Sequence, residues 1–392
     1  MASLAVVIII LGCAAYQYFK GSFIRAAATI IIAICAGIAA FGFFEVLANV
    51  FISRGDSGKF LSIVPWAQPL CFALLFIIVF GAMQTGMMFL THNRPVDLGF
   101  LPECIGRVVC GIFLGLLLSG FLLTALGMAP LPNKYPYQRF EGKRNKVLLN
   151  ADGFVTGLFS ILSKGSLSGK RSFATIHPDF IDQIHLNRMI SGTSIVTNKS
   201  PAISLPKPTE PAVWPAPQSL NEQISKIVSD LNRQGKIKDE SSGKLMSMPG
   251  PISSDYQSKI VRIGINRSAL SAQTKINAGM FTLPQIRLIC KRQGYGDDPL
   301  AGTGINIYPI GHLKAPDQIQ VSTEIKLDNR DDFRGNARVK LIDFVFCIPR
   351  DYEPILVEFK QNTILEISPR SIVNTDKAPP PVLFTYTAKS KK

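Results

Sequence analysis

Apolar residues crowd into four long runs at the start of the chain, then give way to short alternating runs towards its end. The four runs cover residues 2–19, 26–52, 66–90 and 104–129, close to or above the roughly 20 helical residues that span a hydrocarbon core. They predict four transmembrane helices. Glu45 and Arg107 are the strong charges inside them, each within about two turns of a predicted end, where it can pair or snorkel. Trp66, flanked by Pro65 and Pro69, suits a helix start in the interfacial belt. Ile10-Leu11-Gly12-Cys13 has the letters of a lipoprotein cleavage box, but residues 1–9 hold no Lys or Arg, which a signal peptide requires. A first membrane helix is the simpler account.

Beyond this membrane domain (1–130) the pattern changes three times. Residues 131–200 read as a basic linker with short helices: Pro130, Pro132 and Pro136 precede Lys143, Arg144 and Lys146, and two helices flank the break at Gly165, Ser166, Ser168 and Gly169. The exit reads as a solvated linker, with contact to anionic lipid headgroups as the sharper alternative. Residues 201–258 form a proline-rich connector around one amphipathic helix. Ser219 and Glu222 make its capping box, Leu220, Ile224, Ile227, Val228 and Leu231 its apolar stripe, and Gly235 its end. That stripe must bury itself on its own domain or on another chain. Residues 259–370 hold runs rich in Val, Ile, Phe and Thr at 259–265, 281–291, 304–310, 318–327, 338–349 and 354–367, the pattern of an antiparallel β-sandwich. A basic tail occupies 371–392, and its stretch from Pro379-Pro380-Pro381 to Lys392 is expected to fray. The fold class is therefore a multi-domain membrane protein, an all-α four-helix bundle followed by a soluble region of short helices and a C-terminal β-sandwich.

Composition sharpens the division. The 392 residues are 47% hydrophobic with a net charge of +15, yet residues 1–130 carry six basic and four acidic side chains. The other 262 residues carry 36 and 23. A uniformly soluble enzyme and a transporter filling the whole chain are both excluded. The basic excess is dispersed among Asp331, Asp332, Asp343 and Glu358 without an arginine-aromatic stripe, so an anionic envelope surface fits better than nucleic acid.

Gly111, Gly115 and Ser119 recur at four-residue spacing on the fourth helix, a packing ladder of the kind that brings membrane helices together. Ala33, Gly37 and Phe41 on the second are a weaker series, read as ordinary membrane-helix composition. With Gly21 and Arg25 in the first loop, and Gly106 and Arg107 entering the last helix, this region resembles the colicin V production protein (CvpA) family. The resemblance covers about a third of the chain. Ala26 stands where the family's loop carries Glu, and the Asp of the final Asp-Arg pair is missing, with Glu103 nearby. It implies a bacterial inner-membrane protein linked to toxin production or export and envelope function; some relatives carry an extracytoplasmic protease domain. Separately, 344–349 followed by 354–359 resembles the last hairpin of immunoglobulin-like envelope modules.

Catalytic signals are sparse. Gly55-Asp56-Ser57-Gly58 has the letters around a serine nucleophile, but a short loop between membrane helices lacks the frame such a residue needs. His92, His177, His185 and His312 form no metal-ligand spacing; His177 and His185 read as helix-surface residues. The glycine-rich stretch from Gly294 to Gly304 matches neither phosphate-binding spacing. Cys290 and Cys347 are the two cysteines of the soluble half; an outside location permits a disulfide between them, with two buried thiols as the alternative. No catalytic residue, cofactor or metal is assigned.

Four spans place both ends of the bundle on one side. The short-loop tally, Lys20, Arg25, Arg94 and Arg107 against Arg54 and Lys59, favours outside; Lys134, Arg139, Lys143 and Arg144 after the fourth helix turn it to four against six, but charges leading into a long domain weigh less. The resemblance implies the same side, since the protease-bearing relatives place their second domain outside, and outside is the expected side. The expected function is a non-enzymatic anchor holding a periplasmic binding or scaffolding module. Its partners would be the lipid bilayer and an envelope protein or anionic envelope polymer, with a homo-oligomer through the membrane helices also open. The alternatives are a tethered hydrolase built around His312 and a small-solute channel lined by Glu45 and Arg107.

Overall fold

A computed structural model describes residues 2–20, 22–54, 64–90, 100–132, 134–140, 145–164, 172–188, 202–234, 236–238, 245–247, 252–267, 278–292, 304–322, 324–328, 332–333, 337–360 and 363–384. The chain divides into two compact units, a helical one ending at Ala174 and a β-rich one running on from Thr175.

The helical unit contains α1 (Ala2–Lys20), α2 (Phe23–Arg54), α3 (Ala67–Leu90), α4 (Phe100–Met128) and α5 (Ala151–Lys164). The first four are each long and apolar enough to cross a membrane. Their outward faces carry Leu4, Ile8, Leu11, Ile77, Ile78 and Phe89, side chains a bilayer would cover. α4 is the central helix. A Cβ at Gly111 would stand 2.6 Å from the Ala14 Cα, and one at Gly115 2.6 Å from the Ile10 Cα, so α1 lies backbone to backbone along this ladder. Ser119 is fully buried one step further on, its hydroxyl donating to the Leu116 carbonyl at 2.9 Å.

The second series also packs, contrary to the compositional reading. Ala33 and Phe41 are buried, and Gly37 receives the ring tips of Phe121 and Phe159. Phe41 meets Phe72, Phe121 and Phe159 at centroid distances of 4.8–5.9 Å. The first of the two short helices expected before the Gly165–Gly169 break forms as α5, and it joins the bundle: Gly120 of α4 fits under Ala151 and Val155, and Phe159 closes on α2. A stripe of Ala151, Val155 and Phe159, each separated by four residues, is what seats it.

The β-rich unit starts with the end of α6 (Phe173–Ile176), then α7 (Phe180–Asn187) and α8 (Asn221–Gln234). Its strands begin with β1 (Ile203–Ser204), β2 (Val213–Pro215), β3 (Lys236–Lys238), β4 (Leu245–Ser247) and β5 (Tyr256–Asn266). Next come β6 (Ala278–Phe281), β7 (Ile286–Arg292), β8 (Ile305–Ile307), β9 (Pro309–Ala315) and β10 (Gln318–Gln320). The last are β11 (Ile325–Asp328), β12 (Val339–Pro349), β13 (Tyr352–Phe359) and β14 (Thr363–Glu366). One sheet runs β1-β5-β12-β9-β10 with β2 also on β5, and another runs β14-β13-β7-β8; β11-β6 and β3-β4 are two-stranded. Every strand pair is antiparallel, as the alternation predicts.

Several predicted runs are broken. Residues 281–291 divide around a turn at Leu283–Gln285, where Pro284 has no N–H for a ladder. The expected hairpin of 344–349 with 354–359 does not form: β12 pairs with β5 and β9, and β13 with β7 and β14. Arg350 and Asp351 instead carry the chain from one sheet to the other. The α8 stripe docks on its own unit, with Leu220, Ile224, Val228 and Leu231 buried. Gln223 fixes its register by donating to the Asp317 carbonyl (2.7 Å) and accepting from the Ile319 amide (3.0 Å).

The fraying expected from Pro379 onward is corrected as far as residue 384. Ile372 bridges Val213, the Arg262 guanidinium donates to the Pro380 carbonyl (2.7 Å), and the Val382 amide donates to Asp343 (2.7 Å). The Phe384 amide reaches the Leu313 carbonyl at 3.0 Å, just past the His312–Phe344 end of the β9–β12 ladder. Residues 371–384 are thus a strap pinned to the sheet, through the Val213 and Leu313 carbonyls and through the Arg262 and Asp343 side chains. Cys290 and Cys347 are unbonded and buried, which corrects the disulfide alternative. Burial raises both thiols above their ordinary range, Cys347 to about 12.

Candidate functional site: a basic groove at the head of the helical unit

The head of the helical unit is the end where α1 begins and α4 stops. From Met128 the chain turns through Pro130 and Pro132, crosses a cis Tyr135–Pro136 bond, and folds back over the start of α1 before α5. An open groove of about 450 Å³ lies there, lined by Ala2 and Ser3 of α1, Lys134 to Gln138, and Asn145 to Val147. Its floor is apolar: Ala2, Val6, Leu123, Val147 and Ala151 form one buried cluster, with Tyr137 packed against it.

Polar contacts hold the rim. Arg139 donates to the Asn145 carbonyl (3.1 Å) and to the Tyr137 hydroxyl (3.4 Å), and the Asn145 amide donates to the Gln138 carbonyl (2.9 Å). The Tyr137 hydroxyl donates to Asp152, whose other oxygen accepts from the Gly153 amide. Burial, then the neighbouring Asp152 carboxylate, push the Tyr137 hydroxyl well above its ordinary pKa, so it remains a donor. The Leu148 amide donates to Ser3 (3.4 Å), closing the segment onto α1. Lys134 and Lys146 stand exposed on the rim.

At the opposite end, Gly106 receives the Phe23 ring, at 2.4 Å from a would-be Cβ, which brings the start of α2 against the start of α4. Arg107 pairs with Glu103 one turn earlier on α4. Arg25 is exposed in the first turn of α2, where the Ser22 hydroxyl accepts from its amide (3.4 Å). Gly21 lies outside the described residues, as do His92, Gly294 and the Gly55-Asp56-Ser57-Gly58 motif. α2 and α4 run parallel, Phe23 meeting Gly106 and Phe41 meeting Phe121, so Glu45 and Arg107 sit near opposite ends of the bundle. They do not share one lining.

In the β-rich unit the histidines are inside, not on helix surfaces. His177 and His185 are 3% and 7% exposed. Gln183 of α7 donates its amide nitrogen to His177 Nδ1 (2.9 Å) and accepts from the Arg287 guanidinium. Arg287 on β7 also pairs with Glu358, its register partner on β13, and donates to Asn306 on β8. Every titratable member of this network is buried, and its geometry is that of a brace between α7 and three strands. A second buried pair, Arg262 and Asp343, is bidentate at 2.7 and 2.8 Å, with the guanidinium 5.0 Å from the Trp214 ring.

His312 is fully buried in β9 between Phe344 and Phe384, at 6.5 and 5.5 Å. Burial lowers its pKa to about 4, leaving it neutral and enclosed where a substrate has no path. That placement argues against a catalytic base. Among the described residues no group of three or more His, Cys, Asp or Glu side chains is placed to hold a metal ion. No family model matches the chain, and no curated protein or solved structure matches it either. The positive charges of the groove are legible in the sequence but its concavity is not, since that depends on 134–138 and 145–147 lying against the start of α1.

Proposed function

We propose that this chain is an inner-membrane protein of the colicin V production type, whose helical unit anchors a β-sandwich binding or scaffolding module on the periplasmic side. The single observation that carries the reading is the seating of α4. Gly106, Gly111 and Gly115, the glycines that carry the family resemblance, each meet a neighbouring helix at a distance no side chain would fit. The sandwich reading is supported by Phe281, whose ring meets Phe344 of the larger sheet and Phe359 of the four-stranded one at 6.5 and 5.5 Å. Lys20, Arg25 and Arg107 belong to the foot of the bundle, whereas Lys134, Arg139 and Lys146 at the head lead into a long domain, where charges weigh less; this supports a cytoplasmic foot and an external head. The module's dispersed positive charge suits an acidic envelope protein or an anionic envelope polymer.

A topology reporter fused after Lys146 tests the placement. Alkaline phosphatase there is expected to be active and a green fluorescent fusion dark; a bright fluorescent fusion with inactive phosphatase would refute the periplasmic assignment.

A further inference from the structure

We propose that the groove at the bundle head is a binding site for the phosphate-bearing headgroup of an anionic phospholipid. Three observations converge on it. The first is depth: the groove is bounded by the first residues of α1 and lies at the same end as Trp66, so in a bilayer it sits at headgroup level. The second is charge. Among the described residues its basic lining side chains are Lys134 and Lys146, and no described carboxylate lines it. Asp152 lies below the floor, hydrogen-bonded to Tyr137 and Gly153, and the Arg139 guanidinium, which donates to the same Tyr137 hydroxyl, stands beside it as counter-charge.

The third is shape and chemistry together. Ser3, Gln138 and Asn145 supply neutral polar groups around the groove, while Ala2, Val147 and the Tyr137 ring continue the surface into the apolar cluster. A phosphodiester with attached acyl chains matches that sequence of polar rim and apolar wall; a free phosphate uses the rim alone. The lysines give charge without fixed geometry, which suits a headgroup that must enter and leave laterally. The site rests on the membrane placement of the helical unit, and that placement has its own check: alkaline carbonate would extract the full chain if it were wrong.

The test uses the full-length chain purified and delipidated in neutral detergent. Its thermal midpoint is followed against short-chain phosphatidylglycerol, short-chain phosphatidylcholine and inorganic phosphate. Phosphatidylglycerol is expected to raise the midpoint saturably, and the other two to leave it unchanged. In the double variant Lys134→Ala, Lys146→Ala the apparent affinity should fall roughly tenfold or more, since each basic group near an anionic headgroup is worth several-fold. Lys134→Arg with Lys146→Arg should keep it, and Lys207→Ala with Lys326→Ala, on exposed lysines of the other unit, should leave it intact. An equal response to inorganic phosphate would overturn the lipid as occupant. An equal response to phosphatidylcholine, or an unchanged response in the double alanine variant, would overturn the site.

Discussion

Leucine at Gly111 or Gly115 will unseat α1 from α4 and lower the thermal midpoint of the detergent-purified chain well below that of the parent. The reason is what a new Cβ would meet. At Gly111 it is the Ala14 Cα at 2.6 Å and the Cys13 carbonyl at 2.9 Å; at Gly115 it is the Ile10 Cα. Those are backbone atoms, and they yield only if the whole of α1 moves. In lipid no hydrophobic force holds the two helices, so the lost close packing is not recovered elsewhere. Overpacking of this kind costs about 1–3 kcal/mol per site, and more where backbone must shift. The controls are in the neighbouring helices α2 and α3: Gly42, Gly81 and Gly86 have nothing within 4 Å of a new Cβ, and alanine there should leave the midpoint unchanged. Equal stability of G111L and G81A would show that the ladder is not a packing seam.

Glu358→Ala should destabilise the β-rich unit by about 3–5 kcal/mol, because it strands the Arg287 guanidinium in the interior. The pair is almost wholly enclosed, with side-chain exposures of 4% and 2%. Removing both charges, as Arg287→Met with Glu358→Leu, should recover much of that loss, since the desolvation cost disappears with the pair. Recovery should be incomplete, because Gln183 and Asn306 lose the partner they share. Hydrogen exchange at β7 and β13 amides reads this directly: fast in Glu358→Ala, nearer the parent in the double variant. A double variant worse than the single one would mean the charges themselves hold α7 in place.

The spans were legible because a membrane helix must satisfy its backbone within one segment, so a single run of sequence carries the signal. The ladder at Gly111 and Gly115 was legible for a related reason: spacing of four fixes one face of one helix. What remained hidden depended on distant partners. Arg287 and Glu358 lie 71 residues apart, and nothing local marks either as buried. His177 acquires its interior place from Gln183 and Arg287 in the same way. The strand count suffered where Pro284 interrupts a run, and the β12–β13 hairpin failed because alternation predicts a strand but not its sheet. The strap at 380–384 reads as a proline-rich tail, yet Arg262, Asp343 and Leu313 supply the bonds that order it. α5 was visible as a helix; its place on Gly120 was not, since a 14-residue amphipathic helix suits a soluble domain equally well.

The central claim is a bundle buried in the inner membrane that presents the β-rich unit on its outer side. Protease added to intact spheroplasts of cells making the full chain, with tags at both ends, tests it most directly. The account predicts that the β-rich unit is digested while the span region from α1 to α4 survives as a protected, membrane-bound fragment. A chain left whole until the membrane is lysed, or one degraded without any protected fragment, would contradict it.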